Sequence, residues 1–322
     1  MIRRLPIVVV RVISNRAAYK IKKIVLFSPD QYRLLDFGEG RRLERFGPLI
    51  VDRPSPTADG LARGDPEAWQ RADARFERTD REHGQWICRP DLPQRWTIRR
   101  AGLVLEAKLT AFGQVGMFPE QAENWDWIAQ RVTQAGPKGT VPFSSDENRD
   151  SPRKQLRLLN LFAYTGASTL AAAGAGAEVV HVDAARNMVA WARRNAELSG
   201  LAAAPIRWIA EDALKFVRRE LRRGSRYDAV VLDPPSYGHG AHGEVWRLSA
   251  HLPRLLALCA ELAVGRPRFL LLSCHTPGFT PGRLHDLLLA TLGGGNIQAQ
   301  PLQLLTASGR ELSAGVAARW EP

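Results

Sequence analysis

From Gln155 onward the chain alternates between continuous apolar runs and helix-forming stretches, and this alternation restricts the available folds more than any other feature. "LRLLNLF", "EVVHVD", "PIRWIA", "YDAVVLD" and "RFLLLSC" have strand length and no in-out alternation. Between them lie "ASTLAAAGAGA", "ARNMVAWARRNAELSG", "DALKFVRRELRRG" and "HLPRLLALCAELA", which are helix-forming or amphipathic. Strands without a polar face must be covered on both sides, as helices crossing over a parallel sheet cover them. Residues 156–322 are therefore expected to form a doubly wound α/β domain. In "NIQAQPLQLLTASGRELSAGVAARW" two strand-like runs meet at Ser308-Gly309 with no helix between them, so the last strand is expected to run antiparallel.

The chain before this region has a different texture. "YRLLDFGEGRRLERFGPLIVDRP" alternates apolar and polar residues around Gly38-Glu39-Gly40, as a hairpin would, and "RWTIRRAGLVLEAKLT" offers a second such pair. Turn residues fill "SPTADGLARGDPEAWQ" between them, so residues 30–116 are expected to form a small β-rich accessory domain. Pro119 suits a first helical position, and Trp125, Ile128 and Val132 fall on one face of the helix it would open. Gln134 to Gln155 shows no periodicity, so residues 117–155 read as a connecting helix and a linker.

The formal net charge of +12 favours a polyanionic partner such as nucleic acid. Seven of those charges are lysines and arginines in residues 1–29, which hold no acid. That basic arm reads equally as an RNA-binding extension, a transit peptide or the product of a start site set too early. The cluster "KFVRRELRRGSR" reads as a solvated helix face. The apolar "LPIVVV" is too short to span a bilayer. Cys88, Cys259 and Cys274 are widely separated, which suggests neither a disulfide framework nor a zinc site and makes a reducing cytoplasm the expected location. "HGAH", His239 to His242, has no carboxylate at ligand spacing, so no metal is expected.

An open parallel sheet binds ligands at the carboxyl ends of its strands. Those ends carry "FAYTGAS" (Phe162 to Ser168), Asp183, Glu211-Asp212 and Asp233-Pro234-Pro235. Each has a plainer reading: Gly166 as a turn glycine, Asp212 as a helix N-cap, "GAGA" as a helix stop. Acids at successive strand ends, taken together, describe a nucleotide-type site in which Asp183 accepts both hydroxyls of a ribose. A dinucleotide dehydrogenase would need G-x-G-x-x-G after the first strand, and "YTGAST" has one glycine there. A ligand without phosphates fits that loop better.

"LNLFAYTGASTLAAA", "HVDAARNMVAWARRNAELSGL", "IRWIAEDALKFVRRE" and "YDAVVLDPPSYGHGAHGEVW" resemble, in order and spacing, the motifs of class I S-adenosylmethionine-dependent methyltransferases of the bacterial large-subunit (23S) rRNA superfamily. "LLDFGEGRRLERFGPLIVDRP" and "GMFPEQAENWDWI" resemble the amino-terminal part of one uncharacterised branch. The resemblance implies a Rossmann-like sheet binding S-adenosylmethionine, with Phe162, Ala163, Tyr164 and Gly166 at the methionine end, Asp183 on the ribose, and Asp212 with Ala213 at the adenine. It also makes Glu120 and Gln121 candidates for a segment folded over the cofactor.

Methyl transfer is an in-line displacement, so aligning the acceptor can supply most of the catalysis. Asp233 and a following carbonyl held by Pro234 and Pro235 form a rigid clamp for an exocyclic amine, and Tyr237 is placed to stack on an extruded base. The plainer reading of Tyr237 is a loop aromatic packed on the sheet edge. Cys274, at the end of the fifth strand, matches the nucleophile of some cytosine-C5 relatives, with His275 beside it, and its plainer reading is an apolar filler. The sequence thus describes a methyltransferase acting on RNA, with a small-molecule or protein methyltransferase and a non-catalytic RNA-binding module as alternatives.

Overall fold

The computed structural model describes residues 27–80, 84–135, 155–239, 245–265 and 267–322. Most of the basic arm, most of the linker and the greater part of "HGAH" lie outside them. Two compact units emerge, one running to Ala122 and taking in Gln303–Ala314, the other comprising Glu123–Leu302 and Gly315–Pro322.

In the first unit, β1 (Tyr32–Gly38), β2 (Arg41–Phe46), β3 (Leu49–Pro54), β4 (Ala74–Arg78) and β5 (Gly84–Cys88) form one sheet in that order. The β1–β2 hairpin turns at Glu39 and Gly40, both with positive φ. A second hairpin, β6 (Trp96–Arg100) with β7 (Leu103–Ala107), turns at Ala101 and Gly102, again both left-handed, which matches the twist of the paired strands. The turn-rich segment after β3 carries two short 3-10 turns, and β4 then joins β3 in parallel. Asp36, almost fully buried, gathers the backbone N–H groups of Gly64 and Asp65 and the indole of Trp69. Arg310 reaches the same carboxylate at 2.6 Å and the carbonyls of Phe37 and Ala62, which is why residues 303–314 group with this unit.

The second unit opens with α1 (Ala122–Ala135), whose Trp127, Ile128 and Val132 are buried. Next come β8 (Arg157–Leu161), α2 (Ala167–Gly174), β9 (Glu178–Asp183), α3 (Arg186–Leu198), β10 (Ile206–Ala210), α4 (Ala213–Arg222) and β11 (Ala229–Leu232). A small hairpin, β12 (Tyr237–His239) with β13 (Val245–Arg247), precedes α5 (Leu248–Ala263), β14 (Phe269–Cys274), α6 (Pro281–Leu292), β15 (Asn296–Leu305) and β16 (Glu311–Glu321). The sheet order is β10-β9-β8-β11-β14-β16-β15, with the first five strands parallel and β16 antiparallel to β14, as the missing helix before it requires.

Successive strand residues point to opposite faces, so each strand contributes to two apolar layers. Leu159, Leu161, Val230, Leu232, Leu270 and Leu272 pack with α4, α5 and α6, while Leu158, Val231, Phe269 and Leu271 pack with α1 and α2. Burying both faces, at about 25 cal/mol per Å² of apolar surface, is what makes the continuous runs read as strands of a covered sheet. No helix among the described residues is long and apolar enough to cross a membrane.

Candidate active site

Chain order reverses between the neighbouring strands β8 and β11, so the loops leaving them part and open a crevice at their carboxyl ends. The loop after β8 is strained: Phe162 and Tyr164 have φ of 55° and 50°, and Gly166 has 90°. Each left-handed non-glycine residue costs about 1–3 kcal/mol and persists where surrounding contacts over-determine it. Those contacts are present. The Phe162 ring lies 4.9 Å from that of Trp246, and the Tyr164 N–H donates to Asp183 Oδ2 at 2.8 Å. Asn195 Nδ2 donates to the Thr165 carbonyl at 2.8 Å, and the Ala163 N–H to the Val182 carbonyl at 3.1 Å. Gly166 is required twice over, by its φ and because a Cβ there would come within 2.9 Å of the Ala192 Cβ on α3.

Asp183 ends β9 with its second oxygen, Oδ1, accepting the Ala185 N–H at 2.9 Å. Burial pushes its pKa above the usual aspartate value, and the two backbone N–H bonds partly offset that rise. An ionised carboxylate has about four lone-pair sites, so two remain for a vicinal diol. At the end of β10, Glu211 pairs with Arg219 of α4. Asp212 caps α4 by accepting the Lys215 N–H at 2.9 Å through Oδ1, so the plain capping role is real. Ala213 is the first residue of that helix and is buried.

Across the crevice, Asp233 leaves β11. Its Oδ1 accepts the Ser273 hydroxyl at 2.6 Å and lies 3.3 Å from His275 Nε2. Pro234 is buried, and the Pro235 carbonyl accepts the Trp246 indole N–H at 2.7 Å. Ser236 bonds Thr276 side chain to side chain at 2.6 Å and accepts the Leu248 N–H through its carbonyl. The turn is thus fastened to β14's end and to the β12–β13 hairpin. Tyr237, on that hairpin opposite Arg247, is 49% exposed.

Cys274 is 1% exposed and sits in the apolar layer with Leu270, Leu272 and Leu284. Burial pushes its thiol pKa up, hydrogen bonds with Thr276 and the Arg283 charge offset part of the rise, and the Asp233 charge adds to it. A buried thiol whose pKa is raised suits the filler reading better than that of a nucleophilic thiolate. His275 brings its Nε2 to 3.3 Å from Asp233 Oδ1.

Glu120 and Gln121 occupy a 3-10 turn in the first unit and are buried; the Glu120 charge acts on Arg53 and Tyr32, and its Oε2 has no hydrogen-bond partner. The remaining candidates, Phe162 to Gly166, Asp183, Asp212, Ala213, Asp233, Pro234, Pro235, Tyr237 and Cys274, all belong to strand ends or adjoining loops of the second unit. Sequence reasoning gave no role to Trp246 or Ser273. Trp246 had one available signal, a large aromatic directly after a glycine-rich loop, whereas Ser273 is an unremarked small residue in an apolar run. Among the described residues no group of three or more His, Cys, Asp or Glu is assembled for a metal ion.

The donor set fits S-adenosylmethionine. A diol-accepting carboxylate, a second acid at the neighbouring strand end, and a single-glycine loop suit an adenosine without phosphates. Comparison with known proteins agrees. Residues 149–289 match the family described as S-adenosylmethionine-dependent methyltransferase. Ribosomal RNA large subunit methyltransferase I of Aeromonas hydrophila is 39% identical over 95 residues, which cover 28% of this chain and 24% of that protein. The chain therefore spans about a quarter of the length of that curated relative. A SAM-dependent methyltransferase from Agrobacterium tumefaciens, solved by crystallography, is 38% identical with a TM-score of 0.80, covering 91% of this chain and 90% of its own. A putative SAM-dependent methyltransferase from Streptococcus mutans, 15% identical, shares the fold with a TM-score of 0.67, over 91% of this chain and 75% of its own. With that likeness running almost end to end, this chain belongs to the S-adenosylmethionine-dependent methyltransferases.

Proposed function

We propose that this methyltransferase modifies a nucleobase of RNA, with large-subunit ribosomal RNA as the substrate. The observation that carries this reading is the fastened Asp233-Pro234-Pro235 turn with the exposed Tyr237 beside it. A base swung out of its helix needs a flat aromatic surface and a hydrogen-bond acceptor at a fixed angle, and this turn offers both. The name of the Aeromonas hydrophila relative and the net charge of +12 support the same substrate. A cytoplasmic location goes with it.

In this reading Asp183 accepts the two ribose hydroxyls, and Asp212 accepts from the adenine amino group beside the Ala213 backbone. Phe162, Ala163, Tyr164 and Gly166 shape the methionine end, and Glu120 and Gln121 are the candidates for a covering segment. Bound there, S-adenosylmethionine supplies a methyl group made electrophilic by its sulfonium charge. The chain's own work is alignment: Asp233 and the proline-held carbonyls set the acceptor in line, and the turn's rigidity limits the entropy lost on reaching the transition state.

The test incubates the purified protein with methyl-tritiated S-adenosylmethionine and RNA from a strain lacking its gene. Label in large-subunit RNA is expected. Label confined to a small metabolite or a protein would replace this substrate, and salt-sensitive RNA binding without cofactor affinity would replace the enzymatic reading for a binding module.

A further inference from the structure

We propose that the outward face of α4 is a phosphate-binding track that holds the backbone of the substrate RNA beside the crevice. This rests on the RNA reading above and adds to it the surface by which the strand is held.

The helix has two opposed faces. Ala213, Phe216, Val217 and Glu220 are buried on one of them. Lys215, Arg218, Arg219 and Arg222 stand at i, i+3, i+4 and i+7, which makes a single stripe on the other. Lys215 and Arg222 are exposed and Arg218 and Arg219 half-buried, so the stripe lies open along its length. Just beyond the helix end, Arg226 adds an exposed guanidinium that bonds the Ser225 carbonyl at 2.9 Å.

The acids of this segment leave the stripe charged. Glu211 takes Arg219, and Asp212 accepts the Lys215 backbone N–H. Glu220 is turned inward, where its Oε2 accepts the Tyr227 hydroxyl at 2.9 Å and its Oε1 lies 3.6 Å from Arg223 and 3.8 Å from Arg207. Among the described residues no carboxylate pairs with Lys215, Arg218 or Arg222.

Like charges one turn apart destabilise a helix, and Lys215 with Arg218 and Arg218 with Arg222 are such neighbours. Solvation tolerates this arrangement and gives it no use, whereas a row of phosphates turns each repulsion into an attraction. Neighbouring Cβ atoms along a helix stripe are about 5–6 Å apart, a step comparable to that between successive phosphates of one strand. The planar fork of arginine also matches phosphate oxygens two at a time.

The stripe is placed to serve the crevice. α4 starts after Asp212, at the carboxyl end of β10, so Lys215 is the member nearest the site. β10 lies three strand spacings from β11, about 14 Å, which a few nucleotides of single strand can span. Phosphate contacts position a strand without reading it, so α4 supplies affinity and the crevice supplies selection.

The test is filter binding of the full chain to large-subunit RNA from a strain lacking its gene, across a range of salt concentrations. Lys215→Gln/Arg218→Gln/Arg222→Gln is expected to weaken binding about tenfold or more and to flatten the slope of log K against log salt by about 2, since each single-strand phosphate contact contributes about 0.7. KM for RNA should rise with it while cofactor Kd stays unchanged, and the unfolding midpoint should hold or rise because adjacent like charges are gone. Arg218→Lys/Arg222→Lys keeps the charges and should retain the salt slope. Arg193→Gln/Arg254→Gln/Arg268→Gln removes the same charge from scattered, exposed positions of this unit and should change RNA affinity by less than about threefold. An unchanged slope in the stripe variant, or an equal loss in the scattered one, would overturn the track and leave the RNA reading in place. An unsubstituted chain that neither binds nor methylates RNA would overturn both.

Discussion

The indole N–H of Trp246 donates to the Pro235 carbonyl at 2.7 Å, while its ring lies 4.9 Å from that of Phe162. One side chain, 5% exposed, therefore joins the Asp233-Pro234-Pro235 turn to the strained loop after β8. Trp246→Phe keeps most of the ring and deletes the donor, removing a hydrogen bond worth about 0.5–1.5 kcal/mol net. We expect kcat to fall about tenfold with cofactor Kd changed by less than about threefold, because the Phe162 contact survives. Steady-state kinetics with calorimetry on the same samples separates the two, and an equal loss in both would show that Trp246 serves the cofactor loop alone.

Asp183 carries a carboxylate whose pKa burial has raised above its usual value. In the proposed site it must be ionised to accept both ribose hydroxyls. As pH falls toward that raised pKa the protonated form takes over, so cofactor affinity should begin to drop at a higher pH than an ordinary aspartate would give. Calorimetric titration between pH 4 and 8 checks this; Asp183→Asn should bind at least about tenfold more weakly at pH 8 and lose the acid limb. An acid limb that survives in the asparagine variant would assign it elsewhere.

Gly166→Ala places a Cβ against Ala192 in a backbone conformation with φ of 90°. The strain and overlap should cost about 1–3 kcal/mol of stability, read by urea unfolding. Cofactor affinity should fall further than stability, because the loop must move to relieve the clash. Ala175→Gly, at the far end of the same helix, is the control and should leave affinity unchanged.

Beneath that loop, Asn160 Nδ2 donates to Thr169 Oγ1 at 2.9 Å, and Thr169 Oγ1 bonds His181 Nδ1 at 2.9 Å, tying β8, α2 and β9 together. His181 is fully buried, and burial lowers its pKa from 6.5 to about 3. The unfolded chain takes up a proton near pH 6.5 and the folded one does not until about 3, so this contribution is complete above 6.5 and is lost as pH falls toward 3. The full swing is on the order of 5 kcal/mol. His181→Asn should flatten the stability profile from pH 6.5 to 5, above the carboxylate range. Urea unfolding across those pH values measures it, and an unchanged slope would mean that His181 is not the group responsible.

Much of the sheet unit is legible because its signal is local. Five continuous apolar runs became the five parallel strands, and the absence of a helix before "GRELSAGVAARW" became the antiparallel pairing of β14 with β16. In the first unit, the glycine-centred hairpins are equally local, whereas β4 and β5 carry no comparable signal. β5 is an edge strand with Gln85, Ile87 and Cys88 exposed, and the parallel pairing of β4 with β3 depends on the path of the turn-rich segment between them. The grouping of residues 303–314 with the first unit was not readable either, because it rests on Arg310 meeting Asp36 across 274 positions. At the site, acids at strand ends are visible in sequence since each follows an apolar run. Ser273, His275 and Trp246 acquire roles through neighbours that the chain brings close only on folding. The burial of Cys274 follows from strand parity, which a one-residue uncertainty in register would reverse.

The account stands most directly on where the adenosyl group lies. A crystal structure with S-adenosylhomocysteine should show its ribose hydroxyls on the Asp183 carboxylate and its sulfur facing the Asp233 turn. A ligand bound elsewhere, or one whose sulfur faces away from Asp233, would contradict it.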